Sequence, residues 1–410
     1  PVTWIDMPPE NDEASALEMR CRVLGGAHVD CRKESLNILG ISAAFLLKDS
    51  KLSPKQRQDR WKGLQGTWLE MLMIFGGPTK AEPQLAQVIH EILQIAIELF
   101  TDDRQIKLRY VEAVKAGIGS EAWARTPTLV DFAKFIRPET LQHRLGEISG
   151  PVEAALKHLN LQLARKCDPN STIGQAIARP STVDIENSLL TVFSLRGMQL
   201  GSEESLAYVM GAYACAIQKS LSHEISHVIF EEAQKATEEE GVTRMMSDLI
   251  TRYGKDGVRV GVVTNSLSKV AKSSAGRDLL DNFTTKFLGP IEETSVESYS
   301  EILNLPPDMV AKCAQPTFYT DRKNGAMNIL LYDNGRNTLT RFFPGWLSNS
   351  LNASNRNERT AKFAFMDAIE DKAIALAAFS RYYRRCAEAE KAVTVLPIEK
   401  IKEYERQCLS

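Results

Sequence analysis

The 410-residue sequence contains no complete phosphate-binding loop. Neither G-x-x-x-x-G-K-[ST] nor a G-x-G-x-x-G that follows a strand pattern occurs, and G-x-S-x-G is also absent. No run of 18 apolar residues is present, so no transmembrane helix is predicted. The seven cysteines are scattered and form no C-x-x-C pair, which disfavours a zinc ribbon or a disulfide framework and favours reduced thiols in the cytosol.

The sequence also has no excess of charge of one sign. Lys plus Arg number 50 and Asp plus Glu number 52, which disfavours a generally basic nucleic-acid-binding protein but is compatible with a local basic patch. Hydrophobic residues make up 43% and charged residues 25%, as in an ordinary globular protein, and the length predicts two or three domains.

Strand and helix patterns alternate at the start of the chain and again from about residue 171. Helical patterns such as Glu203–Leu221 separate short apolar runs that are rich in β-branched residues. The predicted strands are residues 2–6, 27–30, 189–195, 227–230, 258–264 and 285–288. This alternation predicts an α/β fold with a mostly parallel sheet and helices on both faces.

Four segments follow from these patterns. Residues 1–40 are predicted to begin the α/β domain, and residues 41–165, where helical periodicity dominates, to form an all-helical insertion. Residues 166–345 are predicted to complete the α/β domain and to end in a hairpin around Asn334-Gly335, a strong turn signal. Residues 346–410 are predicted to be helical, with one long helix over 358–390.

Two acids come directly after the apolar run that ends in Phe230. In ATPases with a parallel sheet, such acids lie at the carboxyl edge beside the phosphates. There Glu231 would hold the water shell of Mg²⁺, and Glu232 would polarise the attacking water. The alternative is two solvated acids at a helix N-terminus, where the helix dipole favours them.

The next strand ends in Thr264 and Asn265, which could contact the γ-phosphate of a nucleotide. The alternative is that an amide here caps the following helix. Arg252 and Arg277 are candidates for an arginine that neutralises transition-state charge across a subunit boundary, or they are surface charges. The basic and aromatic residues 381–385 suit contact with nucleic acid or a partner, or a solvated helix face.

A zinc site is the main alternative prediction, because His223-Glu-Ile-Ser-His227 fits H-E-x-x-H. On a helix the two imidazoles would face one side, with Glu224 as general base of a zinc-dependent hydrolase. Against this, residues 228–230 read as a strand, so His227 would begin a strand instead of closing a helical turn.

The order of these pieces resembles the C-terminal motor domain of type IV secretion and conjugative-transfer ATPases, the TraC/VirB-type members of the HerA/FtsK superfamily. The similarity is carried by Trp4-Ile-Asp6, by a Gly25-Gly26 turn, by Ile229-Phe-Glu-Glu-Ala233 and by a stretch from Met246 to Phe283. It is sharpest over residues 225–290. Glu231 stands where that family has Asp, and Asn265 where it has Gln.

The resemblance implies a RecA-like motor that uses ATP and Mg²⁺. It implies a homo-oligomer, a hexamer or a trimer of dimers, that lies in the cytoplasm at the inner membrane with other secretion-system subunits. Its cargo would be nucleic acid or protein. The missing P-loop would lie before Pro1, and a non-catalytic assembly subunit with an eroded site is the other interpretation.

Overall fold

The chain divides into two units in the computed structural model, which describes residues 1–8, 15–46, 52–77, 82–198, 201–238, 240–272, 274–353 and 355–409. Unit 1 comprises Pro1–Asn11 and Ala27–Asn265, and unit 2 comprises Asp12–Gly26 and Ser266–Ser410. This division differs from the four predicted segments, because residues 12–26 and 266–345 join the C-terminal helices.

The described helices are numbered here in chain order. They are α1 Ala16–Leu24, α2 Ala43–Leu46, α3 Pro54–Gly76, α4 Pro83–Asp102, α5 Arg104–Ala116, α6 Glu121–Ala124, α7 Leu129–Phe132, α8 Pro138–Leu145, α9 Gly150–Lys166, α10 Thr172–Ile177, α11 Glu203–Leu221, α12 Ala233–Ala236, α13 Glu240–Tyr253, α14 Leu267–Val270, α15 Ser274–Asp281, α16 Val296–Leu303, α17 Pro307–Cys313, α18 Trp346–Leu351, α19 Arg356–Ala368, α20 Lys372–Glu388 and α21 Ile398–Leu409. Within the described parts of the chain, no helix is both long enough and apolar enough to cross a membrane.

Unit 1 is built on a five-stranded sheet in which every pairing is parallel. The strands are β1 Val2–Asp6, β2 Ala27–Asp30, β3 Leu190–Ser194, β4 Ser226–Phe230 and β5 Val258–Val262, in the spatial order β2-β3-β1-β4-β5. The central strand β1 pairs with β3 and β4, and Trp4 lies opposite Val192 on one side and Ile229 on the other. The predicted parallel α/β fold is confirmed.

Helices alone occupy the described residues between 41 and 165, so the predicted all-helical insertion is also confirmed. Its core is aromatic. The ring of Phe100 meets those of Trp68, Tyr110 and Phe132 edge to face, an arrangement that adds specific geometry to the burial of large apolar surfaces. The insertion therefore has a hydrophobic core of its own.

A buried arginine ties this insertion to the α/β part of unit 1. Arg60 on α3 is only 3% exposed, and its guanidinium donates to the carbonyls of Leu221 (2.8 Å), His223 (2.6 Å) and Asp256 (2.7 Å). These carbonyls lie at the end of α11 and in the turns that lead into β4 and β5. One side chain thus fixes the amino ends of two adjacent strands to the insertion.

Unit 2 contains a separate antiparallel sheet of β6 Thr285–Leu288, β7 Met327–Asp333 and β8 Arg336–Phe342. The predicted hairpin forms, with φ of 47° at Asn334 and 86° at Gly335, the positive angles that a tight hairpin turn requires. The predicted strand at 285–288 also forms. However, it pairs with the hairpin in a separate sheet and does not extend the parallel sheet.

The predicted long helix over 358–390 is wrong in one respect, because it is two helices, α19 and α20. Asp371 interrupts it: its side chain accepts hydrogen bonds from the amides of Ala373 and Ile374 and so caps the second helix. Phe365 on α19 then packs against Phe379 and Tyr382 on α20. The two helices share one core because the break turns the second back on the first.

Replacing Arg60 by Ala should destabilise unit 1. Three backbone carbonyls would lose a charged donor, and buried acceptors that are left unsatisfied cost free energy, here about 3 kcal/mol in total. Denaturant unfolding followed by circular dichroism measures the change. The matched control is Lys62→Ala, which removes an exposed cation from the same helix and should change the free energy of unfolding by less than about 0.5 kcal/mol. Equal effects of the two changes would contradict the assigned role of Arg60.

Candidate functional site

The connections of the sheet diverge at the carboxyl ends of β1 and β4. From β1 the chain leads to β2 at one edge of the sheet, and from β4 it leads to β5 at the other, although β1 and β4 are neighbours. In open α/β sheets, the crevice outside such a divergence is where ligands bind. The predicted pair Glu231 and Glu232 follows β4 at this place.

The turn after β4 has an unusual backbone at the second acid. Glu232 has φ 52° and ψ 40°, the left-handed conformation that costs a non-glycine residue about 1–2 kcal/mol. Backbone amides of the turn donate hydrogen bonds to β1 and to the end of β5, and these bonds hold the turn in place. The amide of Glu231 donates to the Ile5 carbonyl (2.9 Å), and the amide of Ala233 donates to the Val263 carbonyl (3.0 Å). Such strain, when the surroundings enforce it, is characteristic of functional turns.

Two successive hydrogen bonds between side chains join the ends of β4 and β5. The Gln234 amide nitrogen donates to Glu232 Oε2 (2.6 Å), and the Thr264 hydroxyl donates to Gln234 Oε1 (2.7 Å). Gln234 is 5% exposed, and Thr264 is half-buried. The structure therefore brings together Glu232 and Thr264, two residues that the sequence places in one site.

The sequence reasoning missed Gln234 as the link between them. A polar residue two positions after the second acid was visible in the sequence, but its inward orientation depends on the turn geometry. The neighbouring Lys235 adds a further link, because its Nζ donates to the Met7 carbonyl just after β1 (2.7 Å). The turn after β4 is thus fixed from β1 and from β5.

Three more polar residues lie at or near the carboxyl edge. Glu231 is half-buried, and Asn265, directly after Thr264, is exposed. Asp6, the last residue of β1, is a buried acid that is 4% exposed and lies opposite Ser194 in register. These carboxylate, hydroxyl and amide oxygens are the donors that Mg²⁺ and its bound waters prefer. Because no three such acids among the described residues are placed to hold a metal ion directly, this donor set suits contact with Mg²⁺ through its bound waters. The 410 residues contain no G-x-x-x-x-G-K-[ST] cradle for a triphosphate.

Arg252 makes its ion pairs within its own chain. Its guanidinium pairs with Glu70 on α3 and, at 3.5 Å, with Asp248 on α13. Because α13 ends shortly before β5 begins, Arg252 lies toward the amino end of the sheet, away from Glu232. Its predicted action across a subunit boundary stays a prediction, and it would require these pairs to open.

The carboxyl group of Glu70 has a raised pKa in this cluster. Burial and, after it, repulsion by Asp248 raise the pKa of Glu70 from 4.5 to about 7, because Arg252 only partly opposes these two effects. Glu70 therefore gains or loses a proton near neutral pH.

This pKa predicts a pH-dependent stability. The folded chain binds a proton that the unfolded chain releases near pH 4.5, so the stabilisation is complete below that pH and is lost as the pH rises through about 7. Replacing Glu70 by Gln should flatten the free energy of unfolding between about pH 4.5 and pH 7 in denaturant titrations. Glu91→Gln, an exposed control on α4, should keep the wild-type slope. A slope unchanged by Glu70→Gln would contradict the shift.

Arg277 belongs to unit 2. It lies exposed on α15, and its Nε donates to the Ala271 carbonyl (3.3 Å). Its predicted action across a subunit boundary also stays a prediction.

The predicted zinc helix does not form. His223 lies in the turn after α11, where its Nδ1 is 3.0 Å from the Lys219 carbonyl, and His227 is a residue of β4 that pairs with Val2. The two imidazoles therefore do not share a helical face, which the H-E-x-x-H arrangement requires. Among the residues that the structure describes, no group of three or more His, Cys, Asp or Glu is placed to hold a metal ion.

Comparison with solved structures identifies related folds. VirB4 of Thermoanaerobacter pseudethanolicus matches with a TM-score of 0.51 at 16% identity, over 84% of this chain and 82% of that one. The plasmid coupling protein TrwB matches in its complex with ADP and Mg²⁺ (TM-score 0.42, 14% identity, 84% of each chain) and in its complex with the GTP analogue GDPNP (0.41, 13%, 84% and 85%). No family model and no curated protein matches the sequence.

The similarity to VirB4 extends over most of both chains, and at 16% identity it establishes the fold. VirB4 is of the VirB type that the sequence was found to resemble. The chain therefore has the RecA-like α/β fold of VirB4, the fold that its resemblance to the type IV secretion ATPases predicts.

Proposed function

We propose that this chain is part of an ATPase motor that energises type IV secretion or conjugative transfer. The observation that carries the proposal is the strained turn at Glu232, which two neighbouring strands hold at the point where the sheet connections diverge. The shared fold with VirB4 and the resemblance of residues 225–290 to the motor family support it.

The two acids would have different tasks. Glu231 would accept hydrogen bonds from the water shell of Mg²⁺, and its extra methylene, compared with Asp, suits a contact made through water. Glu232 would orient the attacking water and receive its proton as the water oxygen bonds to the γ-phosphorus and the bond from that phosphorus to the ADP oxygen breaks. Bound ATP and Mg²⁺ would supply the phosphoryl group and the positive charge that offsets its oxygens.

The residues that follow β5 would contact the nucleotide. Thr264 and Asn265 offer a hydroxyl and an amide at the carboxyl edge, and the bond of Thr264 to Gln234 places that hydroxyl two hydrogen bonds from Glu232. Thr264 would bind the nucleotide, and Asn265 would contact the γ-phosphate. The triphosphate cradle would be supplied by residues outside this sequence.

The motor would act as an oligomer of identical subunits. A ring, a hexamer or a trimer of dimers, would allow Arg277, or Arg252 after release from its own pairs, to neutralise charge in a neighbouring subunit. The motor would work in the cytoplasm at the inner membrane with other secretion-system subunits and would move nucleic acid or protein.

A non-catalytic assembly subunit is the second candidate. The absence of a G-x-x-x-x-G-K-[ST] pattern from the 410 residues favours it, because without a cradle the strand-end acids have no triphosphate to act on. The two candidates differ in whether Glu232 matters for turnover.

Replacing Glu232 by Gln in the full-length protein should abolish ATP hydrolysis while leaving ATP binding within about twofold. The amide keeps the size and the hydrogen-bonding reach of the side chain but cannot accept the proton of water. Phosphate release measures turnover, and calorimetry with a non-hydrolysable ATP analogue measures binding.

The matched control is Glu238→Gln, which changes an exposed acid just after α12 and should leave both quantities at wild-type values. Hydrolysis that survives Glu232→Gln would refute the assigned role. A wild-type protein that neither binds nor hydrolyses ATP would favour the assembly subunit.

A further inference from the structure

The side chain of Gln234 is oriented by its two partners. A carboxylate can only accept hydrogen bonds, so the amide nitrogen of Gln234 must face Glu232 and its oxygen must face the hydroxyl of Thr264. Both bonds are short, and the side chain is almost fully buried. Neither end can rotate without leaving a buried polar group unsatisfied, which is costly.

This arrangement determines where the carboxylate of Glu232 points. The bond from Gln234 engages Oε2 of Glu232, and a carboxylate with two oxygens retains capacity to accept a hydrogen bond from water. The left-handed backbone of Glu232 determines the direction in which its Cβ leaves the main chain, and the hydrogen bonds to the flanking strands hold that backbone conformation. Gln234 then fixes the last torsion angles, which the backbone alone leaves open.

The same side chain connects two strand ends. Thr264 follows β5, and Glu232 follows β4, so a displacement of one strand end reaches the other through a single buried amide. A contact between Thr264 and a phosphate would compete for the hydroxyl that now bonds to Gln234.

We propose that Gln234 is the positioning residue that orients the Glu232 carboxylate and couples it to Thr264 at the end of β5. This inference rests on the proposed function, because Glu232 is the group that would activate water. Both polar ends of the Gln234 side chain are bonded to protein groups, so it would act on the rate through Glu232.

The main test is Gln234→Met in the full-length protein, since Met has nearly the same length and volume but makes neither hydrogen bond. The kcat for ATP should fall tenfold or more, while KM for ATP stays within about twofold, because an oriented carboxylate contributes to the transition state and not to nucleotide binding. An unchanged kcat would overturn the inference.

A matched control separates this effect from a general loss of stability. Gln218 on α11 is also buried (8% exposed), and its side chain bonds to Glu186, away from the carboxyl edge. Gln218→Met should leave kcat and KM unchanged even if it lowers the melting temperature. An equal loss of kcat in both variants would indicate a purely structural role and would overturn the inference.

A second variant gives a signature that a structural role would not produce. In Gln234→Glu, the protonated carboxyl can still donate to Glu232, whereas the ionised form repels it. The ratio of variant to wild-type kcat should therefore rise as the pH is lowered. A ratio that is independent of pH would contradict the proposal.

The failure of this inference can be told apart from the failure of the proposed function. If Glu232→Gln abolishes turnover but the Gln234 variants keep wild-type kcat, only the positioning role is refuted. If Glu232→Gln hydrolyses ATP normally, the proposed function is refuted and the role of Gln234 with it.

Discussion

The turn between β4 and α12 is the constraint on which the candidate site depends. Its backbone is held on one side by the Ile5 carbonyl and on the other by the Val263 carbonyl, so it cannot relax from the left-handed conformation at Glu232 without breaking bonds to two strands. Parallel pairing of β4 with both β1 and β5 makes this possible, because it places three carboxyl ends at one edge. The site is thus a consequence of sheet order as much as of the residues in it.

The carboxyl and amino ends of the parallel strands carry different polar groups. At the carboxyl edge, Glu232, Gln234 and Thr264 form a chain of polar groups that ends near exposed Asn265. Toward the amino ends of the strands, Arg60 donates hydrogen bonds to backbone carbonyls. There Arg252 on α13 also forms ion pairs with Glu70 on α3 and with Asp248 on its own helix. The polar groups at the carboxyl ends are of the kind that contact water and a metal ion. The contacts at the amino ends attach the insertion to the sheet.

Much of the fold could be predicted from sequence because its signals are local. The β-branched run at 258–262 and the apolar run that ends at Phe230 mark strands on composition alone, and Asn334-Gly335 marks a hairpin turn. Which sheet a strand joins is not local, so 285–288 was expected near the parallel sheet, although it pairs with the hairpin. Likewise, the break at Asp371 depends on one capping side chain within a continuous helical pattern.

The site was predictable in part for the same reason. The placement of Glu231, Glu232 and Thr264 at one edge of the sheet could be predicted, because polar residues that follow parallel strands meet there, whereas their roles stay predictions. Gln234 and the paired state of Arg252 could not, because each depends on a partner distant in the sequence: Thr264 for the first and Glu70 for the second. The zinc motif misled because its spacing implies a helix, whereas strand pairing with β1 determines the conformation at His227.

Amide hydrogen exchange of the full-length protein, with and without a non-hydrolysable ATP analogue and Mg²⁺, tests most directly whether the carboxyl edge faces a nucleotide. Exchange should slow at residues 230–236 and 263–265 and stay unchanged in α3 and at the end of α13. Protection confined to α3 and α13, or no protection at either strand end, would contradict the placement of the site.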